Sequence, residues 1–265
     1  MRSYRLVVFF VLCFALAWPL QAAFLARGGG PTRQALLLVV LLVASWIPAV
    51  AALLVLTLTR DREERRTLRS RMGMWRVGGR WYLYAIFSPV LAWLGAIAAA
   101  RALGVQLVFQ PAFLAILPGI LISNFGEELG WRGFALPHLL RRTNAPYAGA
   151  GLGLIWGVWH LGPPPAWSTL TPGVVVTQVG TLTALSVILT WIFVNCGGSL
   201  MLTTLSHAAF DATAFAFPAA AASEKIRIVL TVLLWIVAFL LFFGSTTARR
   251  TWTARRAARH PTPSG

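Results

Sequence analysis

The chain has 265 residues, 58% hydrophobic and only 11% charged, with a formal net charge of +16. A composition this apolar excludes an ordinary soluble domain of this length and makes the bilayer the expected solvent. The positive charge does not point to nucleic acid, because the arginines flank apolar runs and do not line one amphipathic or aromatic-studded surface.

In chain order, runs able to cross roughly 30 Å of hydrocarbon are predicted at 6–26, 34–59, 82–103, 112–140, 147–161, 174–194, 200–217 and 226–244. The expected fold is therefore an all-α integral membrane protein, a single domain over 1–265 with about eight transmembrane helices in one bundle around a polar cavity. Arg2 and Arg5 precede the first run, and its small residues Ala22 and Ala23 would suit a signal peptide. Its apolar stretch is long for that role, and retention is expected. Arg60, Arg62, Arg65, Arg66, Arg69, Arg71, Arg76 and Arg80 follow the second run, Arg141 and Arg142 the fourth, and Arg249, Arg250, Arg255, Arg256 and Arg259 the eighth. The opposite loops carry little charge. By the positive-inside rule both termini are cytoplasmic, 60–80 is an arginine-rich cytoplasmic loop and 245–265 a basic cytoplasmic tail, with the plasma membrane the expected location. Cys13 and Cys196 suit neither a zinc spacing nor a disulfide framework and are read as packing residues. His138, beside Pro137, is expected at the interface; His260, in the tail, is assigned no role.

Removing every charge that a loop explains leaves Glu127, Glu128 and Arg132 in the fourth run, His160 ending the fifth, and His207 with Asp211 in the seventh. Each ionisable group inside a span costs roughly 2.5–3.5 kcal/mol on the insertion scale, so such residues usually mark a site. Glu128 and Arg132, four apart, share a helix face and can neutralise each other. Glu127 is turned about 100° away and has no evident countercharge, which suits a carboxylate in a poorly solvated cavity to general-base work. His207 and Asp211 repeat the spacing of four, as do Trp156 and His160. Pro163, Pro164 and Pro165 then stop the fifth helix just beyond His160 and leave room there for water or substrate. At about 1.5 Å per residue, Glu127, His160 and Asp211 all fall near 18–20 Å from the cytoplasmic ends, with His207 near 12 Å. A single buried histidine is more often packing than chemistry, and a Glu–Arg pair can simply lock helices. A set of six such groups on three helices reads as a site. Asn124 and Asn195 are read as helix-bonding or cavity-lining groups, with the structural role preferred.

The ordered set Glu-Glu-x-x-x-Arg at Glu127, Glu128 and Arg132, Trp-x-x-x-His at Trp156 and His160, and His-x-x-x-Asp at His207 and Asp211 resembles the CPBP family. That family comprises the type II CAAX prenyl endopeptidases and the bacterial Abi-type, bacteriocin-immunity-associated membrane proteins. The resemblance covers about 115–215. It implies an intramembrane endopeptidase that hydrolyses a peptide bond with water. Glu127 corresponds to the general base, with His160 orienting the water, His207 and Asp211 at the oxyanion, and Glu128, Arg132 and Trp156 supporting. The sequence departs from the prenyl-endopeptidase branch at Asp211, where that branch resembles Asn. A carboxylate cannot donate to an oxyanion unless protonated, so Asp211 could orient His207, sit protonated or bind a metal.

No cofactor is expected. Zinc stays possible, because two histidines and up to two carboxylates could provide ligands and leave a position for water. The expected partners are a membrane-associated or hydrophobic peptide substrate and the lipid bilayer, with no nucleic acid. Two other functions fit the same residues: a non-catalytic membrane scaffold or bacteriocin-immunity protein, and a proton-coupled transporter using Glu127, His160 and His207 as a relay.

Overall fold

The computed structural model describes residues 3–26 and 33–244. The basic tail expected at 245–265, with His260, lies outside them. Among the described residues the protein is all-helical. Its elements are α1 (Ser3–Ala26), α2 (Arg33–Leu58), α3 (Arg62–Met72), α4 (Gly79–Ala102), α5 (Phe113–Glu128), a π-helical stretch (Leu129–Ala135), α6 (Leu136–Leu140) and α7 (Ala145–Trp159). A 3-10 turn (Pro164–Thr169), α8 (Pro172–Asn195), α9 (Leu200–Ala216), α10 (Pro218–Ala222) and α11 (Glu224–Gly244) complete it. Six helices are long and apolar enough to cross a membrane: Tyr4–Ala26, Val39–Leu58, Gly79–Ala102, Phe113–Leu140, Pro172–Asn195 and Glu224–Phe243. The chain is an integral membrane protein. The predicted fifth and seventh spans are helices α7 and α9, of 15 and 17 residues. At about 1.5 Å per residue these fall short of the roughly 30 Å hydrocarbon thickness, so among the described residues six of the eight expected spans are helices long enough to cross on their own.

Apolar side chains cover the outside, among them Val7, Leu83, Val176 and Phe239, all at least 60% exposed, which matches a lipid-facing surface. Without a hydrophobic force between helices in lipid, close packing relies on small residues. A stripe of three glycines on α7 faces α8. A Cβ at Gly153 would lie 2.6 Å from the Thr183 Cα, one at Gly157 2.9 Å from the Val179 Cα, and one at Gly149 3.1 Å from the Val187 Cα. Ser186 Oγ bridges the same seam by donating to the Gly149 carbonyl at 2.8 Å. The second seam joins α2 to the motif helix. A Cβ at Gly130 would be 2.5 Å from the Pro48 carbonyl oxygen, and one at Gly126 would be 3.0 Å from that of Ser45. The two seams hold the helices bearing the Glu-Glu and Trp/His motifs.

Within the arginine-rich segment 60–80, residues 62–72 form a helix. Asp61 caps α3 by accepting from the Glu64 amide at 2.9 Å, and Arg5 ties α1 to the same carboxylate at 2.7 Å. Leu68 is buried against the bundle, where it would meet a Cβ at Gly133 at 2.5 Å, and Arg71 donates to the Gly133 carbonyl at 3.2 Å. Burial pushes the Glu64 carboxyl above its ordinary value, with Arg141 pulling the other way. This docked helix covers His138. The histidine is buried beneath α3, with Nδ1 2.9 Å from the Phe134 carbonyl and 3.4 Å from Glu64 Oε1. Cys13 and Cys196 are buried and free.

Candidate active site

Four of the six ionisable residues that the sequence left inside the apolar runs come together around one indole. Trp156, fully buried on α7, donates from Nε1 to Glu127 Oε2 at 2.7 Å. The Arg132 guanidinium lies over its ring at 4.5 Å. His160 and His207 stand edge-on to the same ring, with centroids at 5.3 and 5.0 Å. The glycine seam to α8 brings Trp156 deep enough to reach the motif helix. The expected role of Trp156 as support understates a side chain that touches four members of the set.

Glu127 and Glu128 close α5, and the π-helical stretch begins at the next residue. π-helical turns are rare and are often found at functional sites. Adjacent on the chain, the two carboxylates turn to different partners. Glu128, with no solvent exposure, accepts at Oε1 from Arg132 Nη1 at 2.8 Å and lies 3.1 Å from His207 Nδ1. Oε2 of Glu128, together with Nε and Nη2 of Arg132, has no hydrogen-bond partner. Glu127 faces His160, whose Nε2 is 4.0 Å from Glu127 Oε2.

His160 is the residue at which α7 ends. Its Nδ1 lies 3.0 Å from the Trp156 carbonyl. Since a carbonyl only accepts, Nδ1 carries the proton, and in the neutral ring Nε2 is left as an acceptor facing Glu127. The turn at Gly162, with φ of 73°, and the prolines beyond it redirect the chain. The helix end is pinned from α1: Trp159 Nε1 donates to the Cys13 carbonyl and Trp18 Nε1 to the Trp159 carbonyl, each at 3.2 Å.

From α9, His207 turns Nδ1 to Glu128 and Nε2 toward Asp211, whose Oδ2 is 3.6 Å away. The sequence reading treated Asn124 as structural. Asn124, 2% exposed, donates from Nδ2 to Asp211 Oδ2 at 2.9 Å. The available signal was its position three residues before Glu127, which puts it on the same side of α5. Asn195 bonds its own helix, donating to the Trp191 carbonyl at 2.8 Å, away from these residues.

Among the described residues, no group of three or more His, Cys, Asp and Glu side chains is arranged to hold a metal ion. Glu128 and His207 Nδ1 are already engaged with each other and with Arg132, and Glu127 Oε2 with Trp156.

No curated protein matches the chain. Residues 108–213 match the family described as type II CAAX prenyl endopeptidase Rce1-like, a span that contains all the site residues from Asn124 to Asp211. Over that segment, the chain is similar to the Rce1-like type II CAAX prenyl endopeptidases, in keeping with the resemblance carried by its three motifs.

Proposed function

We propose that this protein is an intramembrane endopeptidase acting on a membrane-associated or hydrophobic peptide, with Glu127 as general base. The observation that carries the reading is the gap between Glu127 Oε2 and His160 Nε2, 4.0 Å across with an acceptor on each side. That is too long for a direct hydrogen bond. One water about 2.8 Å from both atoms would subtend an angle of about 90°, near its own H–O–H angle. Such a water donates to both groups and keeps its lone pairs for a carbonyl carbon.

As the water attacks, Glu127 takes its proton, and Trp156 Nε1–H stabilises the carboxylate beforehand by a charge-assisted bond. The proton then passes to the leaving amine, and the peptide bond breaks. His207, anchored on Nδ1 by Glu128, offers Nε2–H in its doubly protonated form to the oxyanion. Asp211, held by Asn124, orients that edge of the ring. Glu128 and Arg132 fix His207 and carry no step. The mechanism is read without a metal, because Glu128 and Glu127 Oε2 are engaged by Arg132, His207 and Trp156.

The arginines support cytoplasmic termini and a plasma-membrane location, because Arg5, the α3 arginines and Arg141 gather at one end of the bundle. The core at 115–215 is read as the catalytic part of one transmembrane domain spanning 1–265. The prenyl group named in the family description is one substrate class for this site, and a bacteriocin-related peptide is another.

The test is cleavage of a quenched hydrophobic peptide library by purified protein in nanodiscs, comparing wild type with Glu127→Ala and His160→Ala, each with and without a strong chelator. Cleavage lost in both variants and insensitive to chelator is expected. Equal cleavage by all three proteins would overturn the assignment of the site. Loss of wild-type activity with chelator, restored by zinc, would overturn the metal-free mechanism. The scaffold reading predicts no cleavage of any peptide by a folded wild type. The transporter reading predicts proton flux into vesicles that depends on Glu127.

A further inference from the structure

The chain has seven acidic residues: Asp61, Glu63, Glu64, Glu127, Glu128, Asp211 and Glu224. Glu127, Glu128 and Asp211 are committed to the site. Asp61 and Glu64 are committed to the inner side of α3, where Arg5 reaches both at 2.7 and 3.6 Å and Arg141 reaches Glu64 at 3.9 Å. Glu224 opens α11 beside Gly173, at the start of α8, whereas α3 lies near the turn after the end of α8, where Met74 meets Gly197 and Ser199. Only Glu63 is left near the arginine-rich segment.

The geometry of α3 divides its charges. At 100° per residue, Glu64, Leu68 and Arg71 share the face that packs on the bundle. Arg62, Arg66 and Arg69, at spacings of four and three, form a stripe on the opposite face. All three are exposed, and none makes an ion pair among the described residues. The stripe continues in sequence to Arg76 and Arg80, also exposed, which lie 5.0 Å over the rings of Trp75 and Trp81. Trp75 is itself 55% exposed. The protein thus holds a fixed cationic face for which its own sequence has almost no counter-charge.

The position of that face identifies what can neutralise it. Helix α3 lies between Leu58, the end of one membrane-crossing helix, and Gly79, the start of another, so it runs along the membrane surface. Arginine with exposed tryptophan is the residue pairing found where headgroups meet acyl chains. We propose that the Arg62–Arg66–Arg69 stripe, extended by Arg76 and Arg80 beside Trp75, is a binding surface for the phosphate headgroups of anionic phospholipids. Leu68 and Arg71 hold the helix against the bundle so that the stripe faces outward from it. The inference is independent of the proteolytic reading of the site.

The test places the full-length protein in vesicles of phosphatidylcholine or phosphatidylglycerol brominated near the headgroup end of the acyl chains. The fluorescence of Trp75 is isolated as the difference between each protein and its Trp75→Phe counterpart. The expected result is quenching of Trp75 at least threefold stronger by the phosphatidylglycerol lipid at low salt. That excess should disappear in the Arg62→Gln/Arg66→Gln/Arg69→Gln variant and should fall equally with chloride or inorganic phosphate at matched ionic strength. Equal quenching by the two lipids, or an excess that survives the triple substitution, would overturn the proposal. Selective competition by inorganic phosphate would assign a free-phosphate site in its place. Arginine-dependent capture of a duplex oligonucleotide without lipid preference would assign nucleic acid. Thermal unfolding of the triple variant within a few degrees of wild type is expected, since these side chains touch nothing inside the bundle.

Discussion

The indole N–H of Trp156 meets Glu127 Oε2 at 2.7 Å while the face of the same ring carries Arg132 at 4.5 Å. One side chain from α7 thus separates the two carboxylates of the Glu-Glu pair into different environments. Glu127 has an N–H and an open side toward His160; Glu128 has a guanidinium and His207. Glu127→Gln keeps an oxygen for Trp156 but cannot accept a proton. Peptide cleavage is expected to fall by about 100-fold or more, within the range general-base catalysis contributes, with thermal stability unchanged. The comparison is kcat measured beside a melting curve in the same detergent.

Trp156→Phe retains the ring against Arg132 and both histidines and removes only the N–H. The predicted effect falls on kcat, about 10-fold, with KM little changed. Losing a hydrogen bond to a charged group costs about 1.5–3 kcal/mol, and this one is made to the base. A rise in KM with kcat intact would instead place Trp156 in substrate binding.

For the buried pair, stability and activity should part. Arg132→Ala removes the guanidinium paired with Glu128 at zero exposure, leaving that carboxylate to His207 alone, and is predicted to destabilise by about 3–5 kcal/mol. The double change Glu128→Leu/Arg132→Met removes both charges and should recover most of that loss. Cleavage should stay low in the double variant, because His207 Nδ1 then has no partner at 3.1 Å. Thermal unfolding and peptide cleavage measured on the same samples separate the two effects.

The parts of this arrangement readable in the sequence were those set by helical spacing and by the cost of charge in lipid. Glu128–Arg132, Trp156–His160 and His207–Asp211 are all four apart, and each pair stands together in the structure. What spacing could not give was contact between helices. That Trp156 reaches Glu127 depends on how closely α7 approaches α8 at Gly149, Gly153 and Gly157. That His138 is buried depends on α3 folding back over it from a segment whose arginines read as solvated. The runs at 147–161 and 200–217 do form helices, α7 and α9, of 15 and 17 residues.

Asn124 and Asp211 form the clearest case for a swap. The amide donates to Oδ2 at 2.9 Å, so Asn124→Asp would set a buried carboxylate against the half-buried one of Asp211. A large loss of cleavage is expected, on the order of 100-fold, with reduced stability, since an unpaired buried charge costs several kcal/mol. Adding Asp211→Asn to that variant restores one amide and one carboxylate across the same gap. Recovery of stability should be nearly complete. Cleavage recovers only if the amide serves as well from α9 as from α5, so recovered stability without activity would show that the carboxylate must stand next to His207.

The seam between α2 and the motif helix provides the last prediction. A Cβ at Gly130 would stand 2.4 Å from the carbonyl carbon of Pro48 and 2.5 Å from its oxygen, and backbone cannot swing aside as a side chain can. Gly130→Ala must therefore push α2 away from the π-helical stretch that follows Glu127 and Glu128. Overpacking of this kind costs about 1–3 kcal/mol, and a small displacement of the base can cost about 100-fold in rate. Gly151→Ala is the matched control. It lies on α7 with nothing within 4 Å of the added methyl, and alanine is the better helix former, by about 1 kcal/mol. Gly151→Ala should be neutral or stabilising and leave cleavage intact, whereas Gly130→Ala should lower both the melting temperature and kcat. Equal behaviour of the two variants would mean that close approach at Gly130 does not govern the position of the glutamates.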